Sequence, residues 1–99
     1  MTVDGPDEAR RLVEAALAES AREDGIERAI IGDPVEAGAY WVFFYQGREY
    51  LDSGDLDAML VGNGPIVVPR DGSPLFALSA AEDTDAQIRR LAEESPGTA

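Results

Sequence analysis

The chain has 99 residues, the size of one small domain, and carries 20 acidic residues against 8 basic ones, for a net charge of -12. It contains neither His nor Cys, which excludes disulfides, thiolate metal sites and the commonest general base of enzymes. A chain this acidic repels phosphate groups, so we expect neither nucleic acid nor an anionic membrane as a partner.

The acidity itself has two interpretations that the sequence leaves open. An acidic surface keeps a small domain soluble, or it attracts a partner protein with a basic surface and speeds their association. The first residues lack the basic start and the apolar core of a signal peptide, and the longest apolar run, 39–45, is too short to span a bilayer. We therefore expect a cytoplasmic protein.

The first predicted element is an amphipathic helix over residues 6–24. Apolar residues recur with helical spacing from Ala9 to Leu17. Pro6 suits the first helical position, and Gly25 can end the helix in the left-handed conformation.

Two strands are predicted next, over 27–36 and 40–46. The second has Trp41 and Phe43 on one face and Val42 on the other. Because both faces are apolar, we expect this strand to be central, with other elements or its own loops covering each side. We interpret Trp41 as a core residue rather than a ligand-stacking one; an uncovered aromatic face would instead be an interaction patch.

A loop region follows. Residues 48–52 are predicted to add a strand segment, and Leu56 to Leu60 has the spacing of one helical turn, capped by Ser53 or Asp55. Glycine tolerates left-handed angles and proline fixes the exit of a turn. A tight turn is therefore predicted at Gly62, Asn63, Gly64 and Pro65.

Residues 66–78 are predicted to form a hairpin. Asp71-Gly72 is a preferred pair for a two-residue type I′ turn. In the resulting register Pro69 faces Pro74 as a non-hydrogen-bonded pair, so neither proline is expected to remove a bond from the hairpin.

The last predicted element is a helix over 83–94. Thr84 and Gln87 have the spacing of a capping box, and Ser79 with Glu82 is an alternative start.

These elements predict one domain of the α+β class that spans 1–99. Its ordered core covers about 6–94, and residues 95–99 are expected to be disordered. We expect an antiparallel sheet of about four strands with the N-terminal and C-terminal helices packed on one face of it.

The sequence offers little for catalysis. Its serines have no His or Lys to activate them. Asp52, Asp55 and Asp57 form an acidic cluster, but their spacing differs from the twelve-residue calcium loop, and capping by Asp55 is the preferred interpretation. We therefore expect no enzyme activity, no catalytic residue, no metal and no cofactor.

An ordered series of motifs spans about residues 40–79. It runs WVFFYQ from Trp41, Tyr50, the triplet Ser53-Gly54-Asp55, GNGPIVV from Gly62, and Asp71-Gly72. This series resembles the YrhB-like, immunity protein 35 domain family, with Ser53 where the family usually has Thr.

The resemblance implies a bacterial domain that is encoded beside polymorphic toxins and acts as an immunity protein, with a chaperone-like role also proposed for some members. It implies no enzyme activity and no cofactor. It also implies structural roles for the matching residues. These are Trp41 and Phe43 in the core, Gly54 with Asp55 in the loop, and Gly62, Asn63, Gly64 and Pro65 in the turn.

Two functional hypotheses follow. The first is a non-catalytic immunity protein that binds and neutralises a protein toxin, which we expect to have a basic surface. The second is a small holdase-like chaperone that binds unfolded clients through an exposed aromatic face. For the first hypothesis, the candidate partner-binding residues are acidic side chains on loops: Asp52, Asp55, Asp57 and Asp71.

Overall fold

The part of the chain that the structure describes forms a four-stranded antiparallel sheet with three helices. The computed structural model describes residues 2–60 and 64–94, except for the side chain of Ala58. The elements in chain order are α1 (Pro6–Asp24), β1 (Arg28–Ala37), β2 (Tyr40–Gly47), α2 (Arg48–Ser53), a 3₁₀ turn (Leu56–Ala58), β3 (Ile66–Pro69), β4 (Phe76–Ala77) and α3 (Thr84–Glu93).

Helix α1 has the predicted bounds. Pro6 lies in its first turn, and Gly25 ends it with a φ of 75° while donating its N–H to the carbonyl of the preceding turn. Its buried stripe consists of Ala9, Val13 and Leu17. The helical spacing in the sequence therefore predicted the element and most of the face that it buries, but Leu12, which has the same spacing, is exposed.

The strands lie in the order β1-β2-β3-β4, so β2 is an inner strand, as predicted. One face of the sheet, with Trp41 and Phe43, packs against α1. The other face, with Val42 and Val67, packs against Leu91 of α3. The expectation of both helices on one face was therefore wrong. Since both faces of β2 are apolar, each needs its own cover.

The segment after β2 is helical, which corrects the predicted strand over 48–52. Helix α2 ends at Gly54, whose φ is 73° and whose N–H donates to the carbonyl of Tyr50. Arg, Glu and Leu are good helix formers, which favours a helix in this segment. The helical turn after it was predicted correctly, and Asp55 caps it by accepting the N–H of Asp57.

The β3–β4 hairpin has the predicted register but not the predicted turn. Val67 pairs with Phe76, and the N–H of Gly72 donates to the carbonyl of Pro69 over 3.4 Å. The N–H of Leu78 donates to the carbonyl of Pro65, which makes these two residues a hydrogen-bonded pair. Every second pair of residues along an antiparallel ladder is hydrogen-bonded. Pro69 and Pro74 would thus meet at a bonded position, where neither has an N–H to give. The prolines end the ladder, which explains why β4 has only two residues.

Helix α3 is capped by Asp83, whose carboxylate accepts the N–H of Ala86, rather than by the predicted Thr84. Gln87 is buried and has a different role from the predicted capping box. Its side chain accepts the N–H of Ser79 and donates to the Ser79 carbonyl, at 2.9 and 2.8 Å. These bonds tie the loop before α3 to the helix. Residues 95–99, predicted to be disordered, lie outside the described residues.

Candidate functional site

A groove of about 650 Å³ lies at the end of the sheet where β1 begins and β2 ends. We call it the acidic groove. Its walls come from the loop between α1 and β1, from the end of β2, from α2 and from the 3₁₀ turn with the loop that follows it. The residues that define it are Gly25, Ile26, Glu27, Gly47, Arg48, Glu49, Asp52, Ser53, Asp57, Met59 and Leu60.

The lining of the acidic groove combines carboxylates with an apolar surface. Its apolar side chains are Ile26, Met59 and Leu60, and its charged ones are Glu27, Glu49, Asp52, Asp57 and Arg48. Four carboxylates therefore face one guanidinium. Arg48 lies 3.4 Å from Glu27, and both side chains are more than half exposed, so the pair contributes less than about 1 kcal/mol and leaves the groove strongly negative.

Gln46 holds the loop that closes the acidic groove. Its amide nitrogen donates to the carbonyl of Leu60 over 3.2 Å, and its amide oxygen accepts the N–H of Leu60 over 2.6 Å. The same oxygen accepts the N–H of Gly47. The sequence analysis missed this residue. In the sequence, Gln46 is distinguished only as a polar residue directly after a run of aromatic ones.

The structure brings together three of the four predicted contact residues. Asp52 and Asp57 line the acidic groove, and Asp55 is exposed on the same loop. Asp71 lies at the opposite end of the sheet, in the turn after β3. With a rise of about 3.3 Å per residue, the length of β2 separates the two ends by roughly 23 Å. A single contact surface therefore includes the first three but not Asp71.

The carboxylate of Asp71 has a local role. It accepts the N–H of Ser73 over 2.9 Å. Hydrogen bonds from Ser73, first from its side chain and then from its backbone, lower the pKa of Asp71 below its ordinary value. This aspartate therefore stabilises the turn in which it lies.

Exposed apolar side chains lie near the acidic groove. Leu56 on the 3₁₀ turn is 71% exposed and Leu51 on α2 is 44% exposed. Apolar anchors surrounded by a polar rim are typical of surfaces that bind proteins. The groove thus combines the two features that a protein contact uses.

Several residues of the recognised motif lie inside the fold. Trp41 and Phe43 are 2% and 0% exposed, beneath α1. Gly64 and Pro65 are buried, and the Gly64 backbone lies against the carbonyl of Leu78. Gly62 and Asn63 are outside the described residues.

The structure shows no metal-binding cluster in the part of the chain that it describes. Within 2–60 and 64–94, no group of three or more carboxylates is placed to hold a metal ion. No helix in the same part of the chain is long and apolar enough to cross a membrane. What the acidic groove can supply is charge and apolar contact area.

An ion pair joins the end of α1 to the start of β1, beside the acidic groove. The guanidinium of Arg28 donates to both carboxylate oxygens of Asp24, at 2.6 and 3.0 Å. Arg28, followed by the N–H of Ile26, lowers the pKa of Asp24 from 3.8 to about 2.

We expect the carboxyl group of Asp24 to titrate near pH 2, and closer to 3.8 in an Arg28→Gln variant. Because the folded pKa lies below the unfolded one, the pair stabilises the fold above about pH 3.8, and this contribution is lost as the pH falls through about 2. An NMR titration of the carboxyl carbon measures both values. A wild-type pKa at 3.8 would contradict the bidentate pair.

Comparison with known proteins gives one family match and one similar curated protein. The family model for immunity protein 35 matches residues 7–89. The uncharacterized protein YrhB of Escherichia coli (strain K12) is 31% identical over 49 residues, which are 50% of this chain and 52% of that protein. The alignment thus spans about half the length of the curated relative. No solved structure matches significantly.

Proposed function

Because the chain belongs to the immunity protein 35 family, we propose that it binds and neutralises a cognate toxin of a bacterial polymorphic toxin system without catalysing a reaction. The acidic groove is the observation that supports this proposal. Blocking a toxin requires a stable protein contact and no chemistry. The chain has no His, Cys or Lys, and its groove has charge and apolar surface in one place.

The charges of the acidic groove indicate which toxin surface would fit. Four carboxylates and one guanidinium line it, in a chain whose net charge is -12. A basic segment of the toxin would be attracted over a distance, which speeds association. An apolar side chain between its basic residues would contact Ile26, Met59 and Leu60, and such buried anchors contribute most of the affinity of an interface.

Two of the predicted residues are central to this contact. Asp52 and Asp57 both line the groove, and neither carboxylate makes a hydrogen bond within the described residues. Their charge is therefore available to a partner. Asp55 also caps the 3₁₀ turn, so a change there would alter the loop as well as its charge.

We expect an Asp52→Lys/Asp57→Lys double variant to bind the toxin at least about tenfold more weakly, with a slower association rate and a weaker dependence on salt. The toxin would be identified from the neighbouring gene or by pull-down from the source organism, and surface plasmon resonance measures both rates. A Glu93→Lys/Glu94→Lys variant is the matched control. It changes the net charge equally at exposed positions at the end of α3, away from the groove.

Protection of cells against the toxin gives the second readout. Undiminished protection by the groove variant would exclude the acidic groove as the contact surface. Failure to find any toxin that the wild-type protein binds would instead count against the immunity function itself.

The holdase hypothesis needs an exposed aromatic face. Trp41 and Phe43 are covered by α1, so that face is closed to unfolded clients. The burial of these side chains favours the immunity hypothesis over the chaperone alternative.

A further inference from the structure

The side chain of Gln46 bonds to two walls of the acidic groove at once. Its amide oxygen accepts the N–H of Gly47 over 2.8 Å, and Gly47 is the residue between the strand part of β2 and the first turn of α2. The same oxygen accepts the N–H of Leu60 over 2.6 Å, from the loop that follows the 3₁₀ turn. Gly47 and Leu60 both line the groove, so one amide group joins the start of α2 to that loop.

These hydrogen bonds also fix which way the amide group points. Two N–H groups, those of Gly47 and Leu60, are directed at one atom of the side chain, and an amide oxygen has the two lone pairs that they need. The amide nitrogen then donates to the carbonyl of Leu60 over 3.2 Å. Gln46 therefore bonds both the N–H and the C=O of a single residue, as a paired residue of an antiparallel strand does.

The loop wall of the groove has no regular structure of its own. Met59 and Leu60 belong to no helix or strand of the described chain, and both are half-buried. The N–H of Met59 donates to the carbonyl of Leu56 over 3.2 Å, but this bond only closes the 3₁₀ turn. The attachment of the loop wall to the sheet therefore depends on the two bonds from Gln46.

We propose that Gln46 is a positioning residue for the acidic groove. It holds the wall formed by Met59 and Leu60 in place relative to α2 before a partner arrives, and it thereby raises the affinity for that partner. This inference rests on the toxin contact proposed above. A partner binds only those molecules in which the wall is in place, so its apparent dissociation constant increases as that fraction falls.

The contribution of Gln46 is separate from the charge of the groove. Its amide group is neutral, so it takes no part in the long-range attraction of a basic segment by Asp52 and Asp57. What Gln46 positions is the apolar part of the contact, the side chains of Met59 and Leu60. Anchors of this kind contribute most when they meet a well-packed pocket, so loss of Gln46 changes the shape of the groove and not its charge.

The first test needs no toxin. Gln46→Met removes both bonds to Leu60 and keeps an unbranched side chain of similar length. Each neutral hydrogen bond favours the attached loop by about two- to twelvefold. We therefore expect the amide proton of Leu60 to exchange at least about fivefold faster in the variant, with shifted NMR signals for Met59 and Leu60 and unchanged signals for Trp41 and Val67.

Gln46→Asn repeats this test with a polar side chain. Asparagine keeps the amide group but is one carbon shorter, so it cannot reach both Gly47 and Leu60 as glutamine does. We expect the same faster exchange of the Leu60 amide. Unchanged exchange of this amide in both variants would overturn the proposal.

The second test measures toxin binding by surface plasmon resonance, with Gln87→Met as the matched control. Gln87 makes the same pair of bonds to one residue, Ser79, at 2.9 and 2.8 Å, but it lies on α3 and outside the lining of the acidic groove. We expect Gln46→Met to bind the toxin at least about fivefold more weakly. Gln87→Met is expected to bind like the wild type. Both variants are first checked for native amide signals in β2 and β3.

The salt dependence of binding separates positioning from charge. In Gln46→Met it should equal that of the wild type, because every carboxylate of the groove is retained. The Asp52→Lys/Asp57→Lys variant is expected to lose much of it. A changed salt dependence in Gln46→Met would contradict a role in shape alone.

Three outcomes distinguish this inference from the proposed function. Wild-type affinity of Gln46→Met for the toxin would overturn the inference, and so would equal weakening by Gln87→Met, which would indicate a general loss of stability. Undiminished binding by the Asp52→Lys/Asp57→Lys variant would instead refute the acidic groove as the toxin contact. The exchange of the Leu60 amide would still decide whether Gln46 holds the wall.

Discussion

Replacement of Trp41 by alanine is expected to lower the free energy of unfolding by about 3–5 kcal/mol, the usual cost of removing a large buried aromatic side chain. Trp41 is 2% exposed and lies among Val13, Leu17, Phe43 and Val68. The guanidinium of Arg70 also lies 4.3 Å from the centre of its ring, so the alanine variant loses a cation–π contact as well. Urea titration followed by circular dichroism measures the change.

A Trp41→Phe variant separates packing from hydrogen bonding. The indole N–H is buried without a hydrogen-bond partner among the described residues, and an unsatisfied buried donor is costly. Phenylalanine keeps most of the ring and removes this donor, so we expect a loss of less than about 1.5 kcal/mol. Leu56→Ala is the control for removal of an exposed apolar side chain, since Leu56 is 71% exposed. Equal losses for Trp41→Ala and Leu56→Ala would contradict the assigned core.

The parts of the fold that the sequence predicted well are those with a local signal. The bounds of α1 follow from Pro6, the helical spacing and Gly25. The inner position of β2 follows from its two apolar faces. Each of these signals lies within a few residues of the feature that it predicts, so no knowledge of distant contacts is needed.

The parts that were predicted wrongly depend on distant contacts. The bond between Leu78 and Pro65 fixes which residue pairs of the β3–β4 hairpin are hydrogen-bonded. That alternation decides whether Pro69 and Pro74 interrupt the ladder. The side on which α3 packs depends on which face α1 already covers.

The candidate site was predictable only in part, for the same reason. Asp52 and Asp57 were predicted as neighbours because the chain places them close together. Their apolar partner Ile26 comes from a different part of the chain, and no local pattern connects it to them.

The second large effect is expected at Gly64. A Cβ atom added there would lie 1.8 Å from the carbonyl oxygen of Leu78 and 2.7 Å from its carbonyl carbon. Both atoms belong to the backbone, so no side chain can rotate away to relieve the contact. The next residue, Pro65, accepts the N–H of Leu78 over 2.9 Å, so the two segments are held together where the methyl group would enter.

We expect Gly64→Ala to lower the free energy of unfolding by at least about 3 kcal/mol, at or above the upper end of the usual cost of overpacking, because β4 must separate from β3. The amides of Phe76 and Leu78, which face β3, should lose protection from hydrogen exchange first. Gly5→Ala is the matched control. A Cβ atom there meets nothing within 4 Å, and its φ of -168° is ordinary extended backbone.

The control is expected to change stability by less than about 1 kcal/mol, the range for a helix N-cap position. If Gly64→Ala proved as stable as the control, the close approach of the two segments would be wrong. If stability fell while amide protection in β4 persisted, the strain would lie elsewhere in the loop. The expected result would explain why the family motif has a glycine at this position. A residue without a side chain lets the chain enter β3 directly beside the backbone of Leu78.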